Sequence, residues 1–134
     1  MRILLDTHIA LWAMTNTAKL SEEVIHMLES GKNEVYYSIA SVWEIAIKHK
    51  IRPEQMPISE EEFVRLCEKT GFAQLPIEPE HIFLLKTLTR PVEAPKHNDP
   101  FDRILLAQEK YEKLTLITHD SLISYYGEQC IMSV

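Results

Sequence analysis

The sequence predicts an α/β fold: a three-layer α/β/α sandwich around a short, mainly parallel central sheet. Three observations predict it. Short apolar or β-forming runs alternate with longer stretches of helical character, the pattern of repeated βα units. The chain is 46% hydrophobic, enough to bury a real core. No repeat, low-complexity tract or long linker divides it, so residues 1–134 read as one domain.

The elements follow in order. "RILLD" (Arg2 to Asp6) is an apolar run closed by an acid and reads as a buried strand, and "THIALWAM" continues as a helix. Ser21 caps a second helix, "EEVIHMLES", whose first turn holds Glu22 and Glu23, with Gly31 as its expected C′ residue. "EVYYS" (Glu34 to Ser38) is rich in β-formers. "IASVWEIAIKHKI" is an apolar helix broken at Pro53. Ser59 and Glu62 form a capping box ahead of the next helix, which ends at Gly71. "FAQLPI" is a short strand, and Pro79 suits the first position of the helix "PEHIFLLKTL". Thr89 to Asn98, with Pro91 and Pro95, is a loop. Asp99-Pro100 then opens the helix "PFDRILLAQEKYEK", followed by the strand "LTLIT" and a last short strand at "IMSV".

Several classes drop out. No stretch approaches the roughly 20 apolar residues of a membrane span. "MRILLDTHIALWAM" has an aspartate inside its apolar run and no small-residue cleavage site, so no signal peptide is expected. Cys67 and Cys130 form no C-x-x-C pair and read as reduced, buried thiols of a cytoplasmic protein. Trp12 and Trp43 are expected in the core, Trp12 beside Leu11 marking a dimer face if exposed. The net charge of −6 argues against non-specific nucleic-acid binding, unless acids gather around a divalent cation that inverts the local charge.

The acids are distributed unevenly: sixteen glutamates and four aspartates, Asp6, Asp99, Asp102 and Asp120, each beside an apolar run. In a parallel sheet, ligands bind beyond the carboxyl ends of the strands, and helix N-termini gather there too. Asp6 and Asp120 follow strands and reach that edge. Asp102 sits in a first helical turn, where side chains lean back toward the N-terminus and hence the same edge. Glu44 lies early in the helix after "EVYYS" and is the lone charge from Ile39 to Ile47.

Each acid alone also fits a local role. Asp6 and Asp120 can be turn or cap residues, Asp99 is the natural N-cap before Pro100, and Asp102 can serve as its N3 acid. Ser41-x-x-Glu44 fits a capping box, but Ser38 is an equally good cap; if Ser38 caps the helix, Glu44 lies too deep to serve it, and a buried carboxylate needs a cation, either Lys48 at i+4 or a metal. Together they are harder to explain locally. Two carboxylates about 4 Å apart repel by about 4 kcal/mol at an effective dielectric of 20. An oxygen-only set favours Mg²⁺ or Mn²⁺.

"LLDTH", "SVWEIAIK", "HNDPFDRILLAQ" and "LITHD" occur in order across nearly the whole chain. They resemble the PIN-domain ribonucleases, and within them the VapC-like toxins of toxin–antitoxin pairs. "DPFDR" followed by "LLAQ" is the most specific piece. The resemblance implies a PIN-like sandwich and a metal-dependent endoribonuclease that hydrolyses RNA phosphodiesters with one or two Mg²⁺ (or Mn²⁺) ions. Asp6, Glu44, Asp102 and Asp120 would be the catalytic and metal-binding acids, with Thr7 and Thr118 hydrogen-bonding behind them. Asp99 opens the motif but is not the usual ligand. Among basic residues, His97, Arg103 and Lys48 are the candidate phosphate contacts, with Lys50, Arg52 and Lys96 nearby; the competing local reading has Arg103 bracing a neighbouring acid and His97 capping or packing. The likeness also implies a cytoplasmic homodimer with no membrane attachment. Its cognate antitoxin would lay a tail across the acidic edge, where an arginine could displace the metal.

Two other readings compete. A PIN-like module that binds RNA or protein without cutting would not need all four acids. A haloacid-dehalogenase or receiver-type phosphotransferase also places an aspartate after the first strand. Those need D-x-D or an adjacent acidic pair, and "LLDTHIA" has histidine where the second aspartate should stand. With three glycines and no P-loop or G-x-G-x-x-G, nucleotide binding is not expected.

Overall fold

A computed structural model of the chain describes residues 1–126 and the backbone of 131–133. Five parallel strands form one sheet in the order β3-β2-β1-β4-β5. They are β1 (Arg2–Leu5), β2 (Glu34–Ser38), β3 (Ala73–Leu75), β4 (Thr115–Thr118) and β5 (Ile131–Ser133). The helices are α1 (Thr7–Thr15), α2 (Glu22–Glu29), α3 (Ile39–Ile51), α4 (Glu60–Thr70), α5 (Pro79–Leu84) and α6 (Pro100–Glu112). Short 3₁₀ turns lie at Thr17–Lys19, Leu85–Thr87 and Ile123–Tyr126.

The strands are covered on both faces, so their alternate side chains enter two different cores. Ile3, Leu5, Val35, Tyr37 and Ile117 face α1, α2, α3 and α4, where they meet Ile9, Val24, Ile45 and Phe63. Leu4 and Leu116 face the opposite way, onto Leu105 and Leu106 of α6 and onto Leu75, Ile123 and Tyr126. These two layers around the sheet are the three-layer sandwich that the alternation predicts.

The strand order fixes where a ligand can sit. From β1 the chain winds outward through β2 to β3, then returns across the sheet to β4 and β5. The reversal lies between the neighbours β1 and β4, and a crevice opens beyond their carboxyl ends. The Asp6 N–H donates to the Ile117 carbonyl at 3.0 Å, continuing the β1–β4 pairing right up to this edge.

Helix starts are written in the sequence and form as side-chain caps. Asp6, Ser21, Ser38, Ser59 and Asp99 each accept a backbone N–H from the first turn of the helix they precede. Gly71 closes α4 with φ of 91°, a left-handed conformation that glycine adopts without a Cβ penalty.

Three details differ from expectation. Ser30, in extended backbone, closes α2, and Gly31 takes no left-handed turn. Only half of the Ser59–Glu62 box forms: Ser59 Oγ accepts from Glu62 N–H at 3.1 Å, but the Glu62 carboxylate turns to Arg65. Trp43 is not in the core. It is 59% exposed, with its ring edge-on to Phe101 at 5.2 Å, because an apolar helix placed at a rim still shows one face to solvent. Cys67 is buried as expected, and Cys130 lies outside the described residues.

Candidate functional site

Asp6 stands where β1 passes into α1, and is 5% exposed. Its Oδ1 accepts from Ile9 N–H at 2.9 Å, which is its capping role. Its Oδ2 accepts from Thr118 Oγ1 at 2.5 Å and from His119 N–H at 3.2 Å. A carboxylate offers about four acceptor positions, so one remains after these three donors. The cap and the edge position are therefore not alternatives: Asp6 holds both.

Glu44 is 5% exposed on α3. Ser38 is the N-cap of that helix, so Glu44 plays no capping part. Thr7 Oγ1 lies 2.6 Å from Glu44 Oε1 and 2.8 Å from Ser41 Oγ. With a single proton, Thr7 donates to the carboxylate and accepts from Ser41. Lys48 Nζ meets Glu44 Oε2 at 2.6 Å, an i,i+4 pair with the lysine half exposed. The buried charge has found the cation that its position demanded.

Asp99 caps α6, accepting from Phe101 and Asp102 N–H at 2.9 and 3.3 Å. Asp102, one turn in, leans toward the same edge. Asp120 follows β4, and its Oδ1 accepts from Leu122 N–H at 2.9 Å while its own N–H donates to Thr118 Oγ1 at 3.0 Å. Thr118 thus connects two acids, donating to one and accepting from the backbone of the other.

Asp6, Glu44, Asp102 and Asp120 all line one cavity of about 210 Å³, with Asp99 at its margin and Thr7, His8, Lys48 and His119 completing it. Lys48 is the one lysine or arginine among these lining residues. Negative charge is therefore under-compensated, and Asp102 registers it. Burial, then Asp99, Asp120 and Glu44, push its carboxyl up to about 9. A group of oxygen donors with surplus negative charge is chemically suited to a hard divalent cation.

The basic candidates separate. Lys48 is at the cavity, engaged with Glu44. Arg103 turns away: its Nη2 donates to the Leu85 carbonyl at 3.1 Å and its Nη1 approaches Tyr126 Oη at 3.4 Å. His97 is 6% exposed; it is not among the residues lining the acidic cavity and lines a separate one, of about 370 Å³, with Arg103. Its Nε2 faces Asp102 Oδ2 at 3.1 Å and Asp120 Oδ2 at 3.8 Å, while Nδ1 meets Tyr126 Oη at 2.8 Å. One donor atom from each of His97, Asp102 and Asp120 lies within 4.8 Å of the others.

Three participants carry no sequence signal of their role. Tyr126 lies 29 residues after His97, and no spacing rule links them. Ser41 and His119 act through geometry set by neighbouring elements. A second cavity, of about 430 Å³, adjoins the first through the shared residues His8 and Lys48 and continues along α3 past Ile47, Ile51 and Arg52.

The family model of the PIN domain matches residues 3–128 of this chain. No curated protein matches it. Solved structures with the same fold include VapBC2 from Rickettsia felis bound to a DNA fragment from their promoter, with TM-score 0.71, 14% identity and coverage of 99% and 98% of the two chains. VapBC-1 from nontypeable Haemophilus influenzae matches with TM-score 0.68, 16% identity and 99% and 98% coverage. FitAcB from Neisseria gonorrhoeae matches with TM-score 0.61, 17% identity and 98% and 96% coverage.

Proposed function

We propose that this chain, which belongs to the PIN-domain family, is a metal-dependent endoribonuclease and the toxin of a toxin–antitoxin pair. One observation carries the nuclease reading: four acids from distant segments line a single cavity at the strand-order reversal. Asp6, Glu44, Asp102 and Asp120 would hold Mg²⁺ or Mn²⁺, directly or through water. A bound divalent ion supplies Lewis-acid polarisation of a phosphate oxygen and a more acidic water.

The chain's own residues do the rest. Thr118 and the His119 N–H fix the orientation of Asp6, and Thr7 fixes Glu44. Lys48 stands between the acidic cavity and the groove along α3, so it can leave Glu44 for a phosphate oxygen of a bound strand. Arg52 lies further along the same groove, in line for a following phosphate. Ile47 and Ile51 give bases an apolar wall. This path compensates for a net charge of −6 that would otherwise repel RNA.

The toxin reading is supported by the motif resemblance and by the shared fold with chains of VapBC structures. A cytoplasmic homodimer bound by an antitoxin belongs to the same proposal. Among the described residues no helix is long and apolar enough to cross a membrane.

The test is cleavage of mixed RNAs by wild type and Asp6→Asn, with Mg²⁺, Mn²⁺ or chelator. Metal-dependent cutting by wild type and none by the variant is expected. RNA binding without cutting by both proteins would replace the enzyme with a binding module. Co-purification with the product of an adjacent small reading frame tests the antitoxin.

A further inference from the structure

We propose that His97 supplies a nitrogen ligand to the divalent ion at the acidic cavity, making the centre a mixed nitrogen–oxygen site. The inference rests on the metal-dependent reading above and deepens it.

Placement is the first argument. His97 Nε2 lies 3.1 Å from Asp102 Oδ2 and 3.8 Å from Asp120 Oδ2. The three donor atoms fall within 4.8 Å of one another, close enough for one ion to draw them together. The ring is buried behind the acidic cavity, and its Nε2 is turned toward Asp102 and Asp120.

The second argument is the far side of the ring. Nδ1 meets Tyr126 Oη at 2.8 Å, and the two rings pack edge to face at 5.5 Å. A tyrosine hydroxyl both donates and accepts. The neutral imidazole can therefore carry its proton on either nitrogen without moving. With the proton on Nε2, His97 donates to Asp102 and Nδ1 accepts from Tyr126. With the proton on Nδ1 and donated to Tyr126, Nε2 presents a lone pair to the space beside Asp102 and Asp120. Metal-bound histidines are commonly held in this way, by a hydrogen bond on the other nitrogen. Tyr126 is itself fixed: the guanidinium groups of Arg90 and Arg103 lie 5.5 and 6.0 Å from its ring centre.

The consequence is selectivity. Imidazole suits transition ions better than Mg²⁺, so His97 shifts the preference of the centre toward them. Pulsed EPR of the full chain loaded with Mn²⁺ tests the ligand, and calorimetry with Co²⁺ and Mg²⁺ tests the preference. Wild type shows nitrogen coupling to Mn²⁺; His97→Gln loses it, while His8→Gln and His119→Gln keep it. In His97→Gln the Co²⁺ affinity falls by about tenfold or more and the Mg²⁺ affinity by less than about twofold. Glutamine still offers Asp102 an N–H, so a histidine that only positions Asp102 would leave Co²⁺ affinity intact, and that result overturns the proposal. Mn²⁺ bound to wild type without nitrogen coupling overturns it too, while leaving the nuclease reading in place. No Mn²⁺ binding at all overturns both. If His97→Gln fails to fold, nitrogen coupling kept in both His8→Gln and His119→Gln supports His97, and its loss in either overturns the proposal.

Discussion

Thr118 and Asp6 are 112 residues apart in sequence and share a 2.5 Å hydrogen bond that ties the ends of β4 and β1 together. Because the acceptor is a carboxylate, loss of the bond costs more than an ordinary one, about 1.5–3 kcal/mol. Thr118→Val keeps the shape and removes the hydroxyl, which also orphans the Asp120 N–H. We expect a lower urea midpoint with an unchanged slope, and reduced RNA cleavage, with Thr118→Ser recovering most of both.

The Glu44–Lys48 pair predicts a trade between protein cation and metal. Lys48 is half exposed, so its pairing stabilises the chain by no more than about 1 kcal/mol. Lys48→Met leaves Glu44 buried without a cation and should lower the melting temperature in EDTA. The rise in melting temperature on adding Mg²⁺ should be larger in this variant than in wild type. An equal or smaller rise would show that Glu44 does not communicate with the ion.

Asp102 sets the pH dependence without metal. Its carboxyl is raised to about 9, chiefly by burial and then by Asp99, Asp120 and Glu44, from an ordinary value of 3.8. The folded state thus holds this proton more tightly than the unfolded one. That contribution to stability is complete below the unfolded value and is lost progressively as pH climbs toward 9. The melting temperature in EDTA should therefore fall as pH rises across this window. Mg²⁺ should restore more stability at pH 8 than at pH 5, and Asp102→Asn should flatten the EDTA profile.

Cys67 lies in the core between α4 and the sheet, where burial pushes its thiol up to about 12. In a Cys130→Ser background it should resist a thiol reagent at pH 8 until denaturant is added. Rapid labelling of the native protein would contradict this packing.

Much of this arrangement is legible in the residues. Asp99-Pro100 announces α6, Ser38 and Ser59 announce α3 and α4, and Gly71 announces an end, because capping is local chemistry. Glu44 is conspicuous as an acid inside an apolar run. What is not legible depends on contacts between distant segments. His97 reads as a basic loop residue until Tyr126 is seen behind it. Arg103 adjoins Asp102 in sequence, yet helical geometry points it to Leu85. Trp43 reads as core because composition alone does not say which face of α3 meets solvent.

The neighbouring position of β1 and β4 has a consequence for biosynthesis. A nascent chain that has made Asp6, Glu44 and even Asp102 still lacks the strand that seats Asp6. Ring closure over so long a span comes late and slowly. No partial chain ending before β4 can therefore seat Asp6, and none ending before residue 120 carries all four acids.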